Sequence, residues 1–270
     1  MRISEFIVCG FFVYLLVLSR VFPLPAPRRN RILVIGSVCI GLVIVLSQLR
    51  LQLPMRVTRD WIPGVYLLQG YWMCGLFFER PMRAVEARLL KLDRWCLDRM
   101  RLPVLVRHAP RVALELIELA YLSTYPLVPA TLGLVYAAGA ENQVDRYWTT
   151  VLLAAFACYG LLPWVQTRPP RSIEGSGPVD ERGLWLRKLN QVVLDRASVQ
   201  VNTLPSGHVA TALAAALATG EVLPAQLPWL LTLATAITIS TVVGRYHYTI
   251  DTVLGVGTGI VAWRLARAIT

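Results

Sequence analysis

Thr203–Ala216 reads TLPSGHVATALAAA, a polar, histidine-bearing turn that runs straight into an alanine-rich apolar helix. Histidine is a costly residue to place near lipid, so a membrane helix that opens on Pro-Ser-Gly-His calls for a functional explanation. Pro205 pins the backbone, Ser206 reads as the N-cap, and Gly207 lets a ligand approach the main chain. The unpaired N–H groups of the first turn and the helix dipole then face whatever fills the turn, which predicts an anion site. His208 stands at its edge, where an imidazole gives or takes a proton near neutral pH. The plainer alternative is a capping turn with an incidental histidine.

Outward from this stretch the chain is membranous. Of 270 residues, 56% are hydrophobic, and the mean hydropathy is +0.54, values that belong to a membrane protein rather than a soluble one. Eight apolar segments stand out: Phe6–Ser19, Ile32–Leu49, Trp61–Phe78, Val112–Ala138, Trp148–Val165, Val209–Gly220, Leu227–Val243 and Thr252–Ala266. The second, fourth, fifth and seventh reach the length of about 20 residues that a spanning helix needs; the first, sixth and eighth are short without their polar flanks. Trp61–Phe78, with Gly64, Gly70 and Gly75, reads as either re-entrant or spanning. The first segment follows Met1-Arg2 like a signal peptide, but no small-x-small cleavage site follows it and a second apolar run comes quickly, so it is read as a helix. The expected fold is all-α and polytopic, with N-terminal transmembrane helices in 1–60, an apolar segment and a basic surface helix in 61–111, and a catalytic transmembrane domain in 112–270.

The net charge is +11. Because the basic residues sit between apolar runs, anionic membrane lipid is the expected partner and nucleic acid is not. Residues 80–102, RPMRAVEARLLKLDRWCLDRMRL, place leucines and a tryptophan among arginines at helical spacing. That pattern predicts an amphipathic helix on the membrane surface, the alternative being a solvated basic linker. The five cysteines are odd in number and form no Cys-x-x-Cys pair, so they read as buried thiols and not as a disulfide framework or zinc site. The 37 residues from Thr167 to Thr203 make a loop long enough to be either functional or disordered.

The chain has three histidines. His108 lies in the basic stretch and reads as a surface residue. His247 opens another apolar helix, in GRYHYTIDTVLG at 244–255, four residues before Asp251. At the start of a helix this spacing puts both on one face, where the carboxylate holds one ring nitrogen and leaves the other free. The spacing alone is common, but an aspartate at the mouth of an apolar helix by default marks function. Arg245 adds a fixed positive charge. Two histidines, an oriented carboxylate, a helix N-terminus and arginines are what metal-free phosphoryl transfer requires: one imidazole attacks phosphorus, the other protonates the departing oxygen, and N–H groups and guanidinium hold the equatorial oxygens. No carboxylate cluster, His-Glu-x-x-His or Walker loop is present, so no metal or other cofactor is expected.

These residues resemble those of the type 2 phosphatidic acid phosphatase superfamily, the membrane lipid phosphate phosphatases. The resemblance runs from about Val112 to the C-terminus and rests on PSGH at 205–208 and His247-Tyr-Thr-Ile-Asp251. It implies a six-helix transmembrane core, here with additional N-terminal apolar helices, and catalytic motifs at one membrane face. It further implies that His247 is the nucleophile forming a phosphohistidine, that Asp251 orients it, that His208 is the general acid, and that Ser206 and Gly207 bind phosphate. Two departures stand out. The family's first motif, Lys, six residues, then Arg-Pro, is not met by Lys188 and Arg196-Ala197; Arg168 or Arg171 in TRPPR is the expected replacement. The third motif opens Ser-Arg, where this chain has Ser240-Thr241, and Arg245, one helical turn on if the helix continues, is the expected substitute. These departures and the HYTID sequence resemble most the branch of inositolphosphorylceramide synthase and sphingomyelin synthase. Water attacking the phosphohistidine makes a phosphatase, and a lipid or sugar hydroxyl makes a headgroup transferase. A non-catalytic lipid-binding or transport protein on the same fold is the remaining alternative.

Glu115 and Glu118 sit in the opening turns of LELIELAYLSTYP (114–126), with Tyr121 and Tyr125 on the same face. They are candidates for a polyol headgroup, for pairing with loop arginines, or simply for the membrane interface. With eight spans, the face bearing the motifs carries 20 of the 27 Lys and Arg residues. The positive-inside tendency would make that face cytoplasmic; the resemblance puts it outside. Following the resemblance, the expectation is an integral protein of the plasma (inner) membrane with an extracytoplasmic catalytic face and a phosphorylated lipid as substrate.

Overall fold

A computed structural model describes residues 1–49, 53–175 and 177–270. In chain order its helices are α1 (Ile3–Val21), α2 (Ala26–Gln48), α3 (Leu53–Trp61), α4 (Pro63–Gly75), α5 (Arg83–Arg99), α6 (Leu102–His108), α7 (Arg111–Leu122), α8 (Thr124–Ala137), α9 (Val144–Gly160), α10 (Arg171–Glu174), α11 (Trp185–Ala197), α12 (Gly207–Val222), α13 (Leu227–Val243) and α14 (Thr249–Ile269). The described residues contain no strand, only an isolated antiparallel bridge between Thr167 and Asn202. The protein is all-α.

Among the described residues, four helices are long and apolar enough to cross a membrane: Ile3–Val21, Ala26–Gln48, Pro224–Val243 and Thr249–Ile269. The chain is an integral membrane protein. Two of these helices grow out of the segments that looked short, because α1 and α14 recruit polar residues at their ends. The reverse happens at Val112–Ala138, expected as one long span. It divides into α7 and α8, and α7 ends at Leu122, four residues before Pro126. Proline lacks the N–H that would bond the Leu122 carbonyl, and its ring crowds that carbonyl, so the helix breaks there. Trp148–Val165, also expected to span, yields the 17-residue α9, which stops at Gly160 ahead of Pro163.

The helix α9 is the axis of the fold and is buried on nearly every side. Phe156 stacks on Phe11 of α1, centroids 3.9 Å apart and planes 3° from parallel. At the start of α9, the Asp145 carboxylate accepts hydrogen bonds from Ile3 N (3.1 Å), Ser4 N (3.0 Å) and Ser4 Oγ (2.6 Å). These are orphan donors of the first turn of α1, so Asp145 caps a helix distant in sequence. The N-terminal helices are thus locked to the axis at the end opposite the histidine loops.

At the other end, small residues set the geometry. Helix α12 packs against α9, α13 and α14, and its Ala210, Ala214, Ala215 and Ala216 are fully buried. Gly255 and Gly259, one turn apart on α14, face it. A Cβ at Gly255 would lie 2.8 Å from the Ser206 carbonyl, and one at Gly259 2.9 Å from the Ala210 carbonyl. Only glycine allows this approach, the small-xxx-small packing of membrane helices. It brings the first turn of α14 beside the first turn of α12, where Ser206 N donates to the Asp251 carbonyl at 2.9 Å.

The expected surface helix is α5. Its inward face consists of Glu86, Leu90, Asp93 and Leu97. Its outward face exposes Arg83, Arg88, Lys91, Arg94 and Arg99 with Leu92 and Trp95. Both inward carboxylates bind loop arginines of the site described next. His108 is exposed at the end of α6, and Cys39, Cys74 and Cys158 are buried free thiols.

Candidate active site

The site forms where the loop before α12 meets the turn after α13. Helix α13 ends at Val243, and Arg245 adopts a left-handed conformation (φ 58°). The chain then folds back, with Tyr246 N and His247 N both bonding the Thr241 carbonyl at 2.9 and 3.1 Å. That reversal packs Tyr246 flat on Tyr121 of α7, centroids 3.6 Å apart, and turns His247 towards α12. His208 Nδ1 and His247 Nε2 lie 3.2 Å apart. The Tyr121 ring stands beside His208, centroids 5.4 Å apart.

The other nitrogen of His247 has two acceptors within reach. Nδ1 lies 3.0 Å from Asn202 Oδ1 and 3.6 Å from Asp251 Oδ2. The bonded partner is the asparagine, a residue the sequence reading passed over. Asp251 Oδ2 is also the cap of its own helix, accepting from Tyr248 N at 3.1 Å, while Oδ1 has no hydrogen-bond partner among the described residues. Burial, helped by the Arg171 cation, pushes the His247 pKa down to about 3. The imidazole is therefore neutral at physiological pH, the form a nucleophile needs.

The four arginines around the pair divide by partner. Arg168 is held by Glu86, with Nε and Nη2 on the two carboxylate oxygens at 3.1 and 2.9 Å. Burial raises the Glu86 carboxyl, but the hydrogen bonds and charge of Arg168 outweigh it and the net pKa is lowered. Arg245, whose helix was expected to continue, projects from the left-handed turn instead; its guanidinium donates to Asp93 and, at 2.8 Å, to Glu174 Oε2. Arg187, which no motif signalled, is 3% exposed; it bonds Glu118 Oε1 at 3.3 Å and the Gly244 carbonyl at 3.0 Å and lies over the Tyr246 ring. Arg171 alone of the four has no ion pair among the described residues. Its side chain makes one long bond to Gln200 (3.5 Å) and lies 5.2 Å from the Tyr246 centroid, close enough to act electrostatically on both histidines.

The remaining expected residues take these places. Ser206 is fully buried at the N-cap of α12, its Oγ 3.5 Å from Val209 N. The close approach expected at Gly207 is made by the Tyr159 ring, whose Cε1 lies 2.7 Å from where a Cβ would be, and Gly207 N donates to Thr203 Oγ1 at 3.2 Å. Glu115 caps α11 from outside, accepting from Trp185 N (2.8 Å) and Leu186 N (2.9 Å). Glu118, 1% exposed, accepts from Tyr246 Oη (2.6 Å), Asn190 Nδ2 (2.7 Å) and Arg187. Of the roles open to these two carboxylates, Glu118 has a pairing with an arginine, Arg187 of α11. Lys188 is exposed on α11. A separate cleft of about 200 Å³ between α5, α6 and residues Glu174, Gly175, Gly177 and Val179 touches Arg245 but neither histidine.

The chain that carries this pair of imidazoles also matches a family. The model described as PAP2 superfamily matches residues 87–265, well over half of the chain. The chain belongs to the PAP2 superfamily. No curated protein and no solved structure matches it significantly. Membership in the PAP2 superfamily supports chemistry of the phosphatase or phosphotransferase type on a lipid phosphate. The PAP2 match begins inside α5, upstream of Val112, and Asp93 of α5 binds the arginine two residues before His247.

Proposed function

We propose that the protein is a phosphohydrolase that cleaves a lipid phosphate through a phosphohistidine on His247, without a metal. The observation that carries this reading is the 3.2 Å approach of His208 to His247 in a buried site with Arg171 alongside. The neutral Nε2 of His247 attacks phosphorus in line. The bond from phosphorus to the lipid oxygen breaks, and His208, having taken up the acidic proton that the phosphate monoester brings into the site, delivers it to that oxygen. Arg171 and the dipole of α12 offset the charge on the equatorial oxygens. Water, losing its proton to His208, then attacks the phosphohistidine, freeing phosphate and restoring His247. Asp251 and the α5 carboxylates keep the loops in place. Arg168 and Arg245, held by those carboxylates, act in this reading as ties.

The substrate reaches the site from the bilayer. The outward face of α5, with five exposed basic side chains around Leu92 and Trp95, rests on anionic headgroups. The site faces away from the cytoplasm at the plasma (inner) membrane, so a reporter fused to the C-terminus should be active only inside the cell.

A second reading replaces water with a lipid or sugar hydroxyl. The HYTID sequence and the threonine at 241, which resemble the sphingolipid-synthase branch, favour it. One experiment separates the two. Purified protein in detergent with a chelator is incubated with a panel of lipid phosphates and phospholipids, with and without hydroxyl acceptors. Phosphate released without an acceptor supports hydrolysis; a new lipid product that needs the acceptor supports transfer. Absence of both across the panel, with lipid binding unchanged in His208→Ala and His247→Ala, favours a non-catalytic lipid-binding protein and overturns the proposal.

A further inference from the structure

We infer that Asn202 is a positioning residue for the nucleophile: its side-chain carbonyl, beside the Asp251 carboxylate, holds Nδ1–H of His247 and so fixes which ring nitrogen carries the lone pair. The inference rests on the phosphohistidine reading and goes beyond it by assigning a residue outside both histidine motifs.

The geometry is specific. Asn202 Oδ1 lies 3.0 Å from His247 Nδ1, whereas Asp251 Oδ2 is 3.6 Å away, beyond ordinary hydrogen-bond length. Asp251 Oδ2 is also engaged by Tyr248 N at 3.1 Å, so its nearer oxygen is shared with the helix cap. Asn202 is 1% exposed and anchored on both sides of its amide. Its main-chain N–H donates to the Thr167 carbonyl at 2.8 Å, and its Nδ2 donates to Thr167 Oγ1 at 3.3 Å. With Nδ2 turned to the threonine, Oδ1 is left for the imidazole. With Nδ1 protonated and held, the lone pair of neutral His247 lies on Nε2, the atom facing His208.

The bridge to Thr167 also ties the orientation of His247 to the TRPPR segment that delivers Arg171.

Two variants of like branched shape test this. Asn202→Leu keeps the branching and the backbone bridge but removes the acceptor; Asn202→Asp keeps an acceptor. Single-turnover transfer of labelled phosphate from a short-chain lipid phosphate is measured in detergent, alongside kcat and KM. The expected result is a fall in the transfer rate and kcat for Asn202→Leu of roughly tenfold to a hundredfold, the usual cost of losing a group that orients a functional histidine. KM stays within about threefold, and Asn202→Asp recovers most of the rate. A wild-type rate in Asn202→Leu overturns the inference, and so does an equal loss in both variants, which would make the role one of packing. His247→Ala is run in parallel. If it retains transfer, the nucleophile assignment itself fails, whatever the Asn202 variants do.

Discussion

His208 Nδ1 lies 3.2 Å from His247 Nε2, although the residues are 39 apart in the chain and belong to different helical units. What joins them is the glycine-lined contact of α14 on α12, which sets the two first turns side by side. Removing either imidazole should lower turnover of a lipid phosphate by roughly a thousandfold or more. The double variant should be little worse than either single one, because groups that act as a unit are not additive. Steady-state rates of His208→Ala, His247→Ala and the pair check this, and multiplicative losses would show independent roles.

The arginines should separate by kind of defect. Arg171→Ala should lower kcat/KM by roughly a hundredfold, as removal of a single charge stabiliser does, with little change in melting temperature. Asp93→Ala should act on stability. It strips Arg245 of one carboxylate and removes the acceptor for Thr249 N and Oγ1, both at 2.8 Å. Breaking such a buried pair costs about 3 kcal/mol. Thermal unfolding in detergent, measured beside kcat/KM, distinguishes the two classes.

Gly255→Ala should damage activity although it touches no substrate group. Its Cβ would meet the Ser206 carbonyl at 2.8 Å and move α14 off α12. Displacement of a reacting group by about 1 Å can cost roughly a hundredfold in rate. Gly257→Ala on the same helix, where nothing lies within 4 Å, is the control and should keep the wild-type rate.

The pH dependence of stability should carry a histidine signature. The pKa of His247 falls from an ordinary 6.5 to about 3 on folding. Between those values the unfolded chain binds the proton and the folded one does not, so stability rises with pH there. The contribution is complete above about pH 6.5 and is lost as pH falls towards 3, at up to about 1.4 kcal/mol per unit. His247→Gln should flatten that slope relative to the wild type. Parallel slopes in chemical denaturation from pH 7 to pH 5 would contradict it.

Much of this was legible in the sequence because costly residues stand out against lipid. PSGH and His247-Tyr-Thr-Ile-Asp251 are polar interruptions of apolar helices, and both lead to the site. The helical class and the helix over Arg83–Arg99 followed from hydropathy and from the spacing of arginines. Asn202 and Arg187 were not legible, since a lone asparagine or arginine in a long polar loop carries no periodicity. Their roles come from long-range pairing, with Thr167 and His247 in one case and Glu118 and Tyr246 in the other. Arg245 lies off the helical face that its spacing suggests for a local reason: α13 ends at Val243 and Arg245 is left-handed, whereas spacing rules assume that the helix continues. The division of Val112–Ala138 was readable in principle from Pro126, but uninterrupted hydropathy masked it.

The most direct test is to trap the intermediate. Purified protein is mixed with a lipid phosphate labelled on phosphorus, quenched in denaturant at alkaline pH, digested and mapped. A phosphohistidine is stable in base and labile in acid, so the label should survive the quench, sit on the peptide containing His247, vanish on acid treatment and be absent from His247→Ala. Steady turnover with no protein-bound label under these conditions, or label on another residue, would contradict a covalent route through His247.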